Sequence, residues 1–64
     1  MTDEELVERT KAAFEEKGIE YGEFWCIDRS TVSFTVVWFW RKNEADPNPS
    51  AQWDEERGQL LWCS

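Results

Sequence analysis

The first part of the chain repeats apolar positions with the period of an α-helix. One stripe holds Leu6, Val7, Thr10, Ala13, Phe14 and Lys17. Thr2 is a suitable N-cap residue, and Glu5 three residues later completes the pattern of a capping box. Gly18 supplies the left-handed position at which a helix commonly ends. These signals predict an amphipathic helix over residues 3–17.

Beyond Gly18 the pattern changes to the period of two that is typical of β-strands. Residues 21–27 are rich in aromatic and β-branched side chains, and residues 28–30 (Asp-Arg-Ser) are typical of a turn. Residues 31–41 alternate most clearly. Because only a short turn separates the two runs, we predict an antiparallel hairpin.

The last third of the chain leaves two interpretations open. Residues 42–50 contain both prolines and predict a loop. We favour two short strands after it, over residues 51–53 and 59–63, joined by a turn. The alternative is a C-terminal helix with Ser50 as its N-cap, in which Gly58 would cost about 1 kcal/mol.

The predicted fold follows from the need to bury each apolar face against another element. An amphipathic helix and an antiparallel hairpin pack most simply as two layers. We therefore predict an α+β fold in which one N-terminal helix packs on a three- to four-stranded antiparallel sheet. The order is α-β-β-β with a short fourth strand, and residues 1–64 form a single small domain.

The segment Val36–Trp40 is apolar on both sides of its predicted strand. A single helix covers only one face of a sheet, so either Val37 and Phe39 or Trp38 and Trp40 need a second cover. Three covers are open: the C-terminal segment with its leucines and Trp62, a second copy of the chain, or a partner protein.

The chain has 14 acidic and 7 basic residues, and its net charge is −7. Nucleic acids and anionic membranes bind basic surfaces, so we expect neither as a direct partner. An acidic surface suits a basic partner protein and speeds encounter with it. On the predicted helix, Glu8, Glu15 and Glu16 lie on the outer face, where spaced carboxylates can imitate a phosphate backbone.

The sequence offers little for catalysis, and we expect no enzymatic activity. There is no histidine, and glycine-rich phosphate loops and metal-ligand spacings are absent, so no cofactor or metal is predicted. Cys26 lies in an apolar strand, where thiols are usually inert. We expect a cytoplasmic protein with reduced thiols; a Cys26–Cys63 disulfide would need their Cα atoms within about 7 Å.

These observations predict a non-enzymatic acidic module that inhibits or modulates a basic partner protein, with nucleic-acid-binding proteins as one candidate class. Glu8, Glu15 and Glu16 would steer the encounter, and Val37, Trp38, Phe39 and Trp40 would anchor it. In size and charge the chain resembles small acidic accessory proteins of phages and mobile elements and toxin-immunity proteins, although no shared motif supports that resemblance. The alternative is a homodimer or assembly subunit sealed by the aromatic strand 36–40.

Overall fold

The computed structural model describes all 64 residues and contains one helix and four strands. Their bounds are Asp3–Lys17 for α1, Phe24–Asp28 for β1, Thr35–Phe39 for β2, Ser50–Asp54 for β3 and Gln59–Cys63 for β4. The strands form one antiparallel sheet in the order β1-β2-β3-β4. This confirms the predicted α+β fold, and the C-terminal segment forms strands, as we favoured, and not a helix.

The N-terminus of α1 begins as the sequence predicts. The Thr2 hydroxyl accepts a hydrogen bond from the backbone N–H of Glu5 at 3.1 Å, which satisfies one otherwise free donor of the first turn. The carboxylate of Glu5 does not return to Thr2 but accepts a bond from Arg9 at 3.1 Å. The capping box is therefore half formed, because a favourable ion pair one turn along takes its second member.

The C-terminus of α1 is closed by a glycine in the left-handed region. Gly18 has φ 71°, and its N–H donates to the carbonyl of Glu15 at 3.3 Å. The next N–H, of Ile19, donates to the carbonyl of Phe14 at 2.8 Å. These two bonds are those of a Schellman motif, and they turn the chain back toward the sheet.

The core lies between α1 and one face of the sheet. Three helix residues one turn apart are fully buried: Leu6, Thr10 and Phe14. From the sheet come Val37, Phe39, Ala51 and Trp53. The indole Nε1–H of Trp53 donates to the Thr10 hydroxyl at 2.9 Å, so both of these buried polar groups are satisfied.

The central strand is shorter than the sequence suggests. β2 begins at Thr35, and residues 31–34 lie in a loop in which Val32 is fully exposed. Past Phe39 the pairing continues for one residue, since Trp40 donates to the carbonyl of Glu23 at 2.8 Å and accepts from Gly22 at 2.7 Å. A Cβ at Gly22 would stand 3.0 Å from the carbonyl oxygen of Trp40, so glycine permits this close approach.

Both edge strands contain an irregularity that inserts one residue. In β1 the register shifts between Phe24 and Cys26, so Trp25 has no partner of its own on β2. In β4 the register shifts at Leu61. Bulges at sheet edges bend the strand and disfavour pairing with a further strand.

The two cysteines lie at opposite edges of the sheet, with Cys26 in β1 and Cys63 in β4. Cys26 pairs with Trp38 on one face, whereas Cys63 pairs with the buried Ala51 on the other. Three strand spacings separate them, which is about 14 Å. A disulfide within the chain is therefore sterically excluded, and both thiols are free.

Candidate functional site

The sheet is covered on one face only. Val37 and Phe39 point toward α1 and are fully buried, which corrects the expectation that they anchor a partner. The reason is the period of two, since the same alternation directs Trp38 and Trp40 to the opposite face. The C-terminal segment does not lie over that face, because β4 extends the sheet beside β3.

The open face carries four of the five tryptophans, and we call it the tryptophan face: Trp25, Trp38, Trp40 and Trp62. Trp25, Trp40 and Trp62 remain 44%, 45% and 53% exposed, and Trp38 is half-buried between them. Trp53, the fifth, is in the core. Large aromatic side chains left exposed together on one face are typical of a binding surface.

Three of these rings form a cluster at one corner of the sheet. Trp25 and Trp40 are stacked, with ring centroids 4.2 Å apart and an angle of 18° between the planes. Trp38 lies 5.9 Å from Trp25 at 59°. The bulge in β1 makes this arrangement, because the inserted residue places Trp25 on the same face as Cys26.

Trp62 lies across the sheet from this cluster. It pairs with Gln52 of β3, Gln52 pairs with Val36 of β2, and Val36 pairs with Asp28 of β1. Directly paired residues share a face, so this row crosses the tryptophan face from edge to edge. Polar groups therefore alternate with apolar ones along it.

Within the strands, the charged residues on the tryptophan face are negative, while Arg41 and Lys42 follow Trp40 at one corner. None of the four strands contains lysine or arginine, while Asp28 and Asp54 each end a strand on this side. The Asp28 carboxylate accepts hydrogen bonds from Ser30, including its backbone N–H at 2.8 Å, and these hold the pKa of Asp28 below its usual value. Asp54 is 3.9 Å from the exposed guanidinium of Arg57.

The predicted acidic residues of the helix lie on the other side of the molecule. Glu8 pairs with Lys11 at 3.4 Å, and Glu15 accepts a hydrogen bond of 2.6 Å from the Tyr21 hydroxyl, which raises the pKa of Tyr21. Glu16 is exposed and takes part in no ion pair. The sheet separates these carboxylates from the tryptophan face, so one flat partner surface cannot contact both.

An ionic network ties the N-terminus of α1 to the sheet. Arg29 donates to Glu55 through two hydrogen bonds of 2.9 and 3.2 Å, and it lies 2.7 Å from Asp3. The Thr35 hydroxyl also donates to Glu55. Arg29 and then Thr35 hold the pKa of Glu55 below its usual value. The cluster around Glu55 therefore joins the N-terminus of α1 to the ends of β1, β2 and β3.

The structure contains little that resembles a catalytic or metal site. No three Cys, Asp or Glu side chains are grouped as metal ligands. None of the tryptophans lines either of the two surface depressions, one beside Gly18 and Pro47 and the other beside Ser33 and Asp54. No helix has the length and apolar character that crossing a membrane requires.

Comparison with known protein families, with curated proteins and with solved structures gave no match. The candidate site is therefore argued from the positions and contacts of its residues and not from a relative. Sequence reasoning identified Trp38 and Trp40 but missed Trp25 and Trp62. Trp62 had a usable signal, since residues 59–63 were predicted as a strand. Trp25 had none, because it reaches the open face through a bulge.

Proposed function

We propose that this protein is a non-enzymatic binding module that docks a basic partner protein on its tryptophan face and modulates that partner by covering its surface. The observation that carries the proposal is the exposure of Trp25, Trp40 and Trp62 together on a face that no element of the chain covers. Tryptophan is among the residues that contribute most to binding energy when an interface buries them.

The face is better suited to docking than the edges of the sheet. A partner strand added to β1 or β4 would have to pair with a bulged strand, and bulges disfavour such pairing. A partner that binds the open face does not need to pair with the backbone of a strand, and it contacts exposed aromatic rings directly. We therefore place the partner over the sheet and not beside it.

Charge favours a basic partner over a second copy of the chain. Two copies placed face to face would bring Asp28 and Asp54 of each into one interface, without a lysine or arginine from any strand to pair with them. Asp28 forms no ion pair and Asp54 has only the exposed Arg57 at 3.9 Å, so burying these carboxylates is costly. Each copy also carries −7. A basic partner neutralises both the local and the overall charge.

The carboxylates of the helix have a separate role in this proposal. Glu8, Glu15 and Glu16 lie behind the sheet, so they act on the encounter through the field of the whole protein and not by contact. We expect them to affect the association rate, and we expect the tryptophans to affect the dissociation rate.

The proposal is tested with two matched variants against purified basic proteins of pI above about 9 and acidic proteins of similar size. Binding is measured by biolayer interferometry over a NaCl series. The face variant is Trp40→Thr with Trp62→Thr. The helix variant is Glu8→Gln, Glu15→Gln and Glu16→Gln, which alters the opposite side of the sheet. Circular dichroism verifies that both remain folded.

We expect binding to basic proteins only, with the face variant weakened by about tenfold or more, which corresponds to about 1.4 kcal/mol. The helix variant should keep the dissociation rate and lose part of the salt dependence of association. Equal binding by the face variant and the unaltered protein would refute the docking surface. Equal binding of acidic and basic proteins would refute the assigned partner chemistry.

A further inference from the structure

We infer that the tryptophan face recognises a short, extended basic segment of the partner, with one arginine on the Trp25–Trp40 stack and a second on Trp62. This inference rests on the proposed function and narrows the partner from a basic protein to a particular kind of segment. Three observations support it: the size of the face, the separation of its two aromatic sites, and the charges around each site.

The size of the face favours a segment over a globular surface. Four strands spaced at about 4.8 Å, each five residues long at about 3.3 Å per residue, make a face of about 300 Å² in projection. A stable interface between two folded proteins takes about 20–30 residues from each, whereas only about half of the residues in these four five-residue strands point to this face. A single extended chain, in contrast, lies entirely within the face.

The aromatic sites are separated by a distance that an extended chain spans. Trp40 and Trp62 are two strand spacings apart across the sheet and four residues apart along it, since Trp62 lies in the row of Val36. The separation is about 16 Å. An extended chain advances about 3.3 Å per residue, so side chains four to six residues apart reach both sites.

The chemistry of the rings favours a cation. Tryptophan is the aromatic side chain that binds cations best through its ring face, and Trp40 and Trp62 are both about half exposed. Asp54 is one strand spacing and two residues from Trp62, or about 8 Å, and it attracts a positive side chain there, with the exposed Arg57 at 3.9 Å as its only ion-pair partner. Asp28 lies at the other edge of the sheet, three residues from Trp25 along β1.

The corner at the Trp25–Trp40 stack distinguishes arginine from lysine. Arg41 and Lys42 follow Trp40 in the chain, and Glu23 lies opposite Trp40 through a backbone hydrogen bond. With Asp28 on the adjacent strand, these two basic and two acidic residues sum to zero, so they give a cation no net attraction at this corner and stacking must supply the binding. Arginine is more weakly hydrated than lysine and stacks flat on aromatic rings, so it is favoured.

The experiment is a titration of the ¹⁵N-labelled protein, observed through the indole N–H signals of its five tryptophans. The probe is a 12-residue Gly/Ser peptide with two arginines four residues apart. Its controls are an isomer with adjacent arginines, which has the same composition and charge, and a peptide with lysine in both places. Trp53 is an internal reference, because its indole N–H is bonded to Thr10 in the core.

We expect saturable shifts of the Trp25, Trp40 and Trp62 signals, with Trp53 unmoved. The spaced peptide should bind about threefold more tightly than its isomer or the lysine peptide, because two weak stacking contacts then act together. Equal affinity of the three peptides would overturn the inference, as would the absence of shifts.

The outcome separates this inference from the proposed function. If a basic protein binds through Trp40 and Trp62 while the peptides do not, the segment is wrong and the docking surface stands. If neither binds, both fail. If the indole signals of the face shift with protein concentration alone, between about 20 µM and 1 mM, a second copy covers the face and the inference is overturned.

Discussion

The hydrogen bond between Trp53 and Thr10 is the polar contact on which the core depends most directly. Thr10 is fully buried and Trp53 is 5% exposed, and the bond between them measures 2.9 Å. Thr10→Val replaces the hydroxyl with a methyl of similar size, so no cavity forms and helix propensity is nearly unchanged. The indole N–H loses its acceptor and has no water to replace it.

Leaving a buried donor unsatisfied costs about 1–3 kcal/mol. A domain of this length has a free energy of unfolding of about 3–10 kcal/mol, so the loss is a large fraction of the total. Each kcal/mol lowers the Tm by about 4–8 °C. Urea unfolding followed by far-UV circular dichroism measures the change, and an unaltered m value verifies that the native compactness is kept.

A second background isolates the hydrogen bond from other effects of the substitution. In Trp53→Phe there is no indole N–H to satisfy, so Thr10→Val should then cost nothing or stabilise the fold. If Thr10→Val is as stable as the unaltered protein, the bond contributes nothing. If its cost is the same in both backgrounds, the cost has another origin and the reasoning is refuted.

Three further predictions concern the two faces, the ionic network and the end of the helix. Phe39→Ala should cost about 3–5 kcal/mol by opening a core cavity, whereas Trp62→Thr should change the stability by about 0.5 kcal/mol or less; equal losses in urea unfolding would contradict the one-sided core. The pKa of Glu55 is lowered from an ordinary 4.5, so the ionised carboxylate stabilises the folded state above pH 4.5, and this stability is lost as the pH falls through the folded-state pKa. Glu55→Gln should therefore reduce the fall in Tm below pH 4.5. An unchanged dependence of Tm on pH would contradict this. Gly18→Ala should cost about 1–2 kcal/mol through its positive φ alone, since no atom lies within 4 Å of the added Cβ, and Gly18→Asn should cost less; a Tm equal to that of the unaltered protein would contradict the Schellman assignment.

Much of the fold was readable from the sequence because local signals and the global pattern agree. The helix spans Asp3–Lys17 as predicted, since a threonine cap and a left-handed glycine mark both ends. The strands β3 and β4 were also predicted, within one residue at each end. The strands of the hairpin were predicted too long, because a period of two continues through Thr31 and Ser33 while pairing stops at Thr35.

The candidate site was only partly readable. The double-sided apolar run 36–40 indicated that the helix would leave one apolar side of β2 uncovered, but alternation alone could not say which side, or whether the C-terminal segment would lie over it. The positions of the carboxylates and the rings on opposite sides of the sheet follow from packing and not from sequence. The bulges that place Trp25 on the open face depend on pairing between strands, which a single chain's pattern does not record.

The central claim is that four tryptophans form a face that nothing within the chain covers, and photochemical oxidation of tryptophan followed by peptide mass spectrometry tests it most directly. At low micromolar concentration, Trp25, Trp40 and Trp62 should be modified rapidly and Trp53 slowly, in line with their exposure. Raising the concentration a hundredfold should not change the order. Protection of Trp40 and Trp62 to the level of Trp53 in the dilute protein would contradict the account.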